Sequence, residues 1–176
     1  MIASSAVRDS VFDKSVVYIC THNAYGAMGF VINKQIHKFY FPDLMNHFKI
    51  NIPMPPASFI LHNGGPLEKI RGFVLHSSDY TERTTVKIDD NYAVSSSISV
   101  LSDIAFGNGP AYNLIALGYS SWMPKQLERE LFENNWFITE ATPELLFKVP
   151  DEEKWQYAVE SLRFNIYDVC PRTGNA

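Results

Sequence analysis

Ser15-Val16-Val17-Tyr18-Ile19-Cys20-Thr21-His22-Asn23-Ala24-Tyr25-Gly26-Ala27-Met28-Gly29-Phe30-Val31-Ile32-Asn33 is the stretch from which the rest of the chain is read. Two apolar, β-rich runs, residues 16–21 and 28–32, flank a short polar loop with glycine, the pattern of a β-hairpin whose loop is longer than two residues. Val17 and Ile19 point one way while Val16, Tyr18 and Cys20 point the other, so both faces are apolar. Such a strand is expected in the middle of the fold, covered on both sides. His22, Asn23 and Gly26 then stand where a rigid element meets its loop, a common place for ligand contacts.

Working outward, residues 58–62 and 72–76 read as a second apolar strand pair around the turn Asn63-Gly64-Gly65-Pro66. Residues 84–88 and 92–95 read as a third hairpin with one solvated face. Ser95, Ser96 and Ser97 supply hydroxyls for the start of a helix in which Ile98, Leu101, Ile104 and Ala105 recur at helical spacing, ending at Gly107. A buried strand at 112–119 leads into a helix over 125–134, then a short strand at 136–138, a helical turn at 143–147 and a last helix capped by Asp151. Before the second strand pair, residues 41–48 read as a short helix and Pro53, Pro55 and Pro56 as a stiff loop. Residues 1–11 are an arm or a frayed end. Strands and helices mix without βαβ alternation, which predicts an α+β chain: a single domain, 1–176, with a mixed, largely antiparallel sheet built from hairpins and several packed helices.

A length of 176 residues allows one sizeable core, and 46% hydrophobic with 14% aromatic residues excludes wholesale disorder. The net charge of -4 opposes non-specific attraction to phosphate backbones or anionic membranes. The basic residues Lys34, His37, Lys38 and Lys49 are read as a solvated face, and the helix over 125–134 balances its bases with acids, so no direct nucleic-acid partner is expected. No apolar run reaches the ~18 residues of a membrane span or forms a secretory leader. The expectation is a cytoplasmic protein with Cys20 and Cys170 as free thiols.

The blocks at 16–23, 26–33, 64–66, 71–76, 117–119 and 126–128, taken in this order and with the tail Thr173-Gly174-Asn175-Ala176, resemble the YqgE/AlgH family over most of the chain. The resemblance implies a small bacterial cytosolic α+β protein without an established activity, and one branch named for an effect on alginate synthesis implies a link to transcription. Members usually read Tyr-Ala-Gly-Trp-Gly-Pro-Gly-Gln-Leu-Glu where this chain reads Tyr119-Ser120-Ser121-Trp122-Met123-Pro124-Lys125-Gln126-Leu127-Glu128. Three glycines have become Ser121, Met123 and Lys125, which argues against a glycine-built phosphate cradle at this helix start.

His22, His62 and His76 each end an apolar strand, yet their spacing matches no metal-binding pattern, and neither a metal nor another cofactor is expected. No residue is assigned a catalytic role. The expected ligand or partner surface comprises His22, Asn23, Gly64, Gly65, His76 and Trp122, gathered at the strand-end loops of neighbouring hairpins. The corresponding function is a non-enzymatic regulatory or interaction protein that binds a protein or a small molecule, with any transcriptional effect indirect. The alternative is a thiol-dependent or hydrolase-like enzyme using Cys20 and His22, two residues apart on one strand.

Overall fold

The computed structural model describes residues 1–7, 10–36 and 60–162. The expected helix at 41–48, the proline loop at 53–56, the basic residues His37, Lys38 and Lys49, Cys170 and the tail lie outside the described residues. In chain order the elements are β1 (Ile2–Ala3), β2 (Val17–Asn23), β3 (Gly26–Val31), β4 (Leu61–Asn63), β5 (Leu67–Ser77), β6 (Val86–Lys87), β7 (Tyr92–Ser95), α1 (Ile98–Ala105), β8 (Asn113–Trp122), α2 (Gln126–Phe132), β9 (Trp136–Phe137) and α3 (Asp151–Glu160). Short helical turns occupy Ser5–Val7 and Glu144–Lys148. The fold is α+β with mainly antiparallel pairing. The chain forms two compact units, Met1–Asn33 with Ser120–Ala176, and Lys34–Tyr119.

In the first unit β2 and β3 pair antiparallel from Val17 opposite Val31 to Asn23 opposite Gly26. The loop between them is therefore only Ala24-Tyr25, shorter than the sequence pattern predicts. Asn23 Oδ1 accepts the Tyr25 N–H at 2.8 Å. Gly26 follows with φ of 124°, a left-handed-side value open to glycine, so the polar residues stay inside the ladder instead of leaving it. The register slips once between Ile19 and Thr21 and leaves Cys20 as a bulge.

The expectation that β2 lies in the middle of the fold is corrected: within its sheet it pairs with β3 alone. The N-terminal arm bridges its first residues, with Ile2 opposite Val16 and the Val17 N–H donating to Met1 O at 2.8 Å. Apolar cover at 15–18 thus comes from an arm and packed side chains, and beyond them Thr21, His22 and Asn23 are exposed. β3 takes the end of β8 on its other side, with Ala27 opposite Trp122. The core here joins Ala3, Val17, Ala27, Val31, Trp122, Leu127 and Trp136, so α2 contributes its Leu127 face.

α3 buries Ala158 and Val159, as its periodicity predicts. Its Asp151 is the first helical residue and not a cap; it accepts from Lys154 Nζ at 2.6 Å, with both side chains buried. Lys154 Nζ also donates to Ile32 O at 3.0 Å, which ties the helix to the end of the hairpin.

In the second unit, residues 113–119 of β8 carry β5 antiparallel on one side and β4 parallel on the other. β4 and β5 are therefore not the neighbouring pair that the sequence pattern suggests, because β8 lies between them. The turn that separates them is seated by glycine: a Cβ on Gly64 would come within 2.4 Å of Gly118 O, while the Gly64 N–H donates to Leu117 O at 2.9 Å. β7 and β6 complete the other edge and form the expected third hairpin. α1 lays Val100 and Leu101 on Leu61, Val74 and Ile115. Among the described residues no helix is long and apolar enough to cross a membrane.

Candidate functional site

The expected site residues are divided between the units, His22, Asn23 and Trp122 in the first and Gly64, Gly65 and His76 in the second. In the second unit these are interior groups. His76 is fully buried inside β5. Its Nδ1 faces Ser77 O at 2.8 Å; a carbonyl only accepts, so Nδ1 carries the proton. Nε2 faces Ser95 Oγ at 3.0 Å, and Ser95 Oγ lies 2.7 Å from the Thr85 hydroxyl. Both ring nitrogens are engaged by protein groups, which gives the ring a structural role. His62 is buried too, its Nδ1 3.2 Å from Ile115 O. Gly64 and Gly65 are buried as well. The structure thus places His76, Gly64 and Gly65 inside their unit and not on a surface.

In the first unit Trp122 is also interior. Its Nε1 donates to Glu130 Oε2 at 2.8 Å, and the same oxygen accepts Trp136 Nε1 at 2.8 Å. The other oxygen of Glu130 accepts from Gln126 Nε2 at 2.8 Å, while Gln126 Oε1 receives the Met123 N–H at 2.9 Å. The two indole rings meet edge-on at 5.9 Å between centroids. This network fastens α2 to the strands; Trp122 supports the surface without forming it.

The exposed part of the candidate site is the tip of the β2–β3 hairpin with the adjoining face of α2. His22 Nε2 lies 2.9 Å from Glu128 Oε1, with both side chains about half exposed. Glu128 is the carboxylate that sequence reading does not supply, since it stands 106 residues further along the chain. Its carboxyl is held below the ordinary glutamate range, first by the bond to its own backbone N–H and then by His22. The hairpin turn, the residues before α2 and the end of α2 also carry three large apolar side chains in solvent: Tyr25 at 91% exposure, Met123 at 74% and Phe132 at 89%. Gly26 brings the hairpin tip against the backbone of Trp122 and Met123, its Cβ position lying 2.2 Å from Trp122 O. Phe132 follows Glu128 by one turn on the same face of α2. The sequence does not show that Gly26 and Trp122, the residues next to Tyr25 and Met123, meet, because only the β3–β8 register brings these strands together.

Lys125, at the start of α2, has φ of 63°, a left-handed conformation, at a position where the family pattern carries glycine. α2 itself has seven residues, and no side chain caps its start. No phosphate cradle is built there.

Cys20 is half-buried in the bulge, 4.0 Å from Tyr18 O. Burial pushes its thiol up to about 12, so it carries almost no thiolate at neutral pH. Among the described residues no group of three or more His, Cys, Asp or Glu side chains is placed to hold a metal ion.

A family profile described as AlgH-like (DUF179) matches residues 1–167. A UPF0301 protein of Mesorhizobium japonicum is 38% identical over 183 residues, covering 100% of this chain and 90% of the relative. A UPF0301 protein of Jannaschia is 39% identical over 182 residues, covering 100% and 93%. The solution structure of the AlgH protein from Pseudomonas aeruginosa superposes with a TM-score of 0.79 at 37% identity, covering 99% of this chain and 93% of that one. A Corynebacterium diphtheriae protein of 16% identity, covering 94% and 86%, shares the fold with a TM-score of 0.73.

Proposed function

We propose that this chain, which belongs to the YqgE/AlgH family, is a non-enzymatic binding protein that presents the β2–β3 tip and the outer face of α2 to a protein partner. The observation that carries this reading is the exposure of Tyr25, Met123 and Phe132 on the elements that the His22–Glu128 pair joins. Aromatic residues and methionine are the types enriched in protein interfaces, and a polar pair beside them supplies orientation. Asn23 belongs to the same surface through its hold on the turn. The reading places the protein in the cytoplasm, where Cys20 stays a thiol. An effect on transcription then runs through the partner, since a net charge of -4 gives no general attraction for DNA.

Site-specific photo-crosslinking in cells tests it. A photoreactive residue at position 25 should give a discrete protein adduct that is absent when the same residue stands at position 87, an exposed strand position of the other unit. The adduct should disappear in a Met123→Asp/Phe132→Asp variant. Equal labelling from both positions, or none from position 25, removes the reading.

A further inference from the structure

The second unit contains a cavity of about 280 Å³ between the sheet and α1. Gly72, Val74, Ile115 and Leu117 line it from the strands, Ile98 and Leu101 from the helix. Its origin is local. Between Leu67 opposite Tyr119 and Gly72 opposite Leu117, β5 carries four residues, 68–71, against the single Gly118 of β8. The bulge throws Ile70 into solvent, at 91% exposure, and returns the strand to the sheet at a glycine. A side chain is therefore missing where the sheet faces the helix. A Cβ built on Gly72 meets only Leu117 Cδ2, at 3.9 Å.

The walls formed by Gly72, Val74, Ile115, Leu117 and Leu101 are apolar, so an apolar occupant that displaces water from them is favoured. The charged lining residue, Arg71, is already paired with Glu68 at 3.0 Å, which leaves no surplus charge for an ionic ligand. Besides Arg71, the polar side chains of the lining are Ser95, Ser96 and Ser97, with Ser96 exposed. From this shape, polarity and charge balance we infer that the cavity between α1 and the sheet of the second unit is a binding site for a small, uncharged, mainly apolar molecule of one or two rings carrying one hydroxyl or carbonyl group. It is independent of the hairpin-tip surface.

The probe is 2-naphthol, with 2-naphthoate as the charged analogue of the same ring system. On the full chain, 2-naphthol should bind saturably with one-to-one stoichiometry and shift the methyl NMR signals of Val74, Leu101, Ile115 and Leu117. The naphthoate should bind about tenfold more weakly or worse. Gly72→Val puts two methyl groups into the space at a strand position suited to a β-branched residue, and should weaken 2-naphthol binding by about tenfold while the circular dichroism is unchanged. Unmoved methyl signals, equal binding of naphthol and naphthoate, or unaltered binding to a folded Gly72→Val variant overturns the proposal. Should that variant fail to fold, the methyl shifts and the naphthoate comparison on the unsubstituted chain still decide.

Discussion

His22 and Glu128 form an imidazole–carboxylate contact at 2.9 Å that pins the start of α2 to the open end of the β2–β3 hairpin. The folded carboxyl sits below its ordinary value, so its contribution to stability is present above the unfolded value, about 4.3, and lost as the pH falls through the lower folded value. Glu128→Gln should therefore lower stability at pH 7, by an amount that shrinks at an acid pH below the ordinary glutamate range. Urea denaturation of both chains at the two pH values checks this; a gap undiminished in acid contradicts it.

Glu130 should matter more than its position near a helix surface suggests. One of its oxygens accepts both buried indoles, so Glu130→Ala strands the N–H groups of Trp122 and Trp136 together. The expected loss is about 2–4 kcal/mol from two unsatisfied donors. Tryptophan fluorescence in a urea titration reports both the loss and the altered environment of the rings; a loss below about 0.5 kcal/mol would mean that the network is incidental.

Lys125 holds a left-handed conformation with φ of 63° without benefit of a side-chain cap. Replacing it with glycine, the residue the family pattern carries there, removes the strain between Cβ and backbone at the cost of a floppier unfolded chain. Lys125→Gly should be stabilising by about 1 kcal/mol, seen as a rise in melting temperature of a few degrees. An unchanged or lowered melting temperature would show that the lysine is at ease in this turn.

Asp151 and Lys154 form a buried pair at 2.6 Å, and removing one partner takes the opposite charge away from the other. Lys154→Met alone should cost about 3–5 kcal/mol, whereas Asp151→Leu combined with Lys154→Met should recover most of that loss. A double-mutant cycle by chemical denaturation measures the coupling; strictly additive single and double variants would show that the two residues act separately.

Much of this protein is written locally. The alternation over 16–20 and 28–32, the spacing of Ile98, Leu101 and Ile104, the stop at Gly107 and the apolar run of β8 depend on neighbours a few residues away, and those elements stand where the sequence places them. Propensity, pleat and helical period act at that range, so the local order of residues carries them. What only the tertiary structure decided are relations between distant residues. β4 pairs in parallel with β8 across more than fifty residues, which separates the two strands that look like a hairpin. His76, which resembles a loop histidine in sequence, is buried because β5 runs past it between β7 and β8. His22 finds its carboxylate 106 residues on, and Lys154 reaches Ile32 over a separation of 122. Such partners are chosen by burial and hydrogen-bond satisfaction in the folded chain, and no local pattern encodes them.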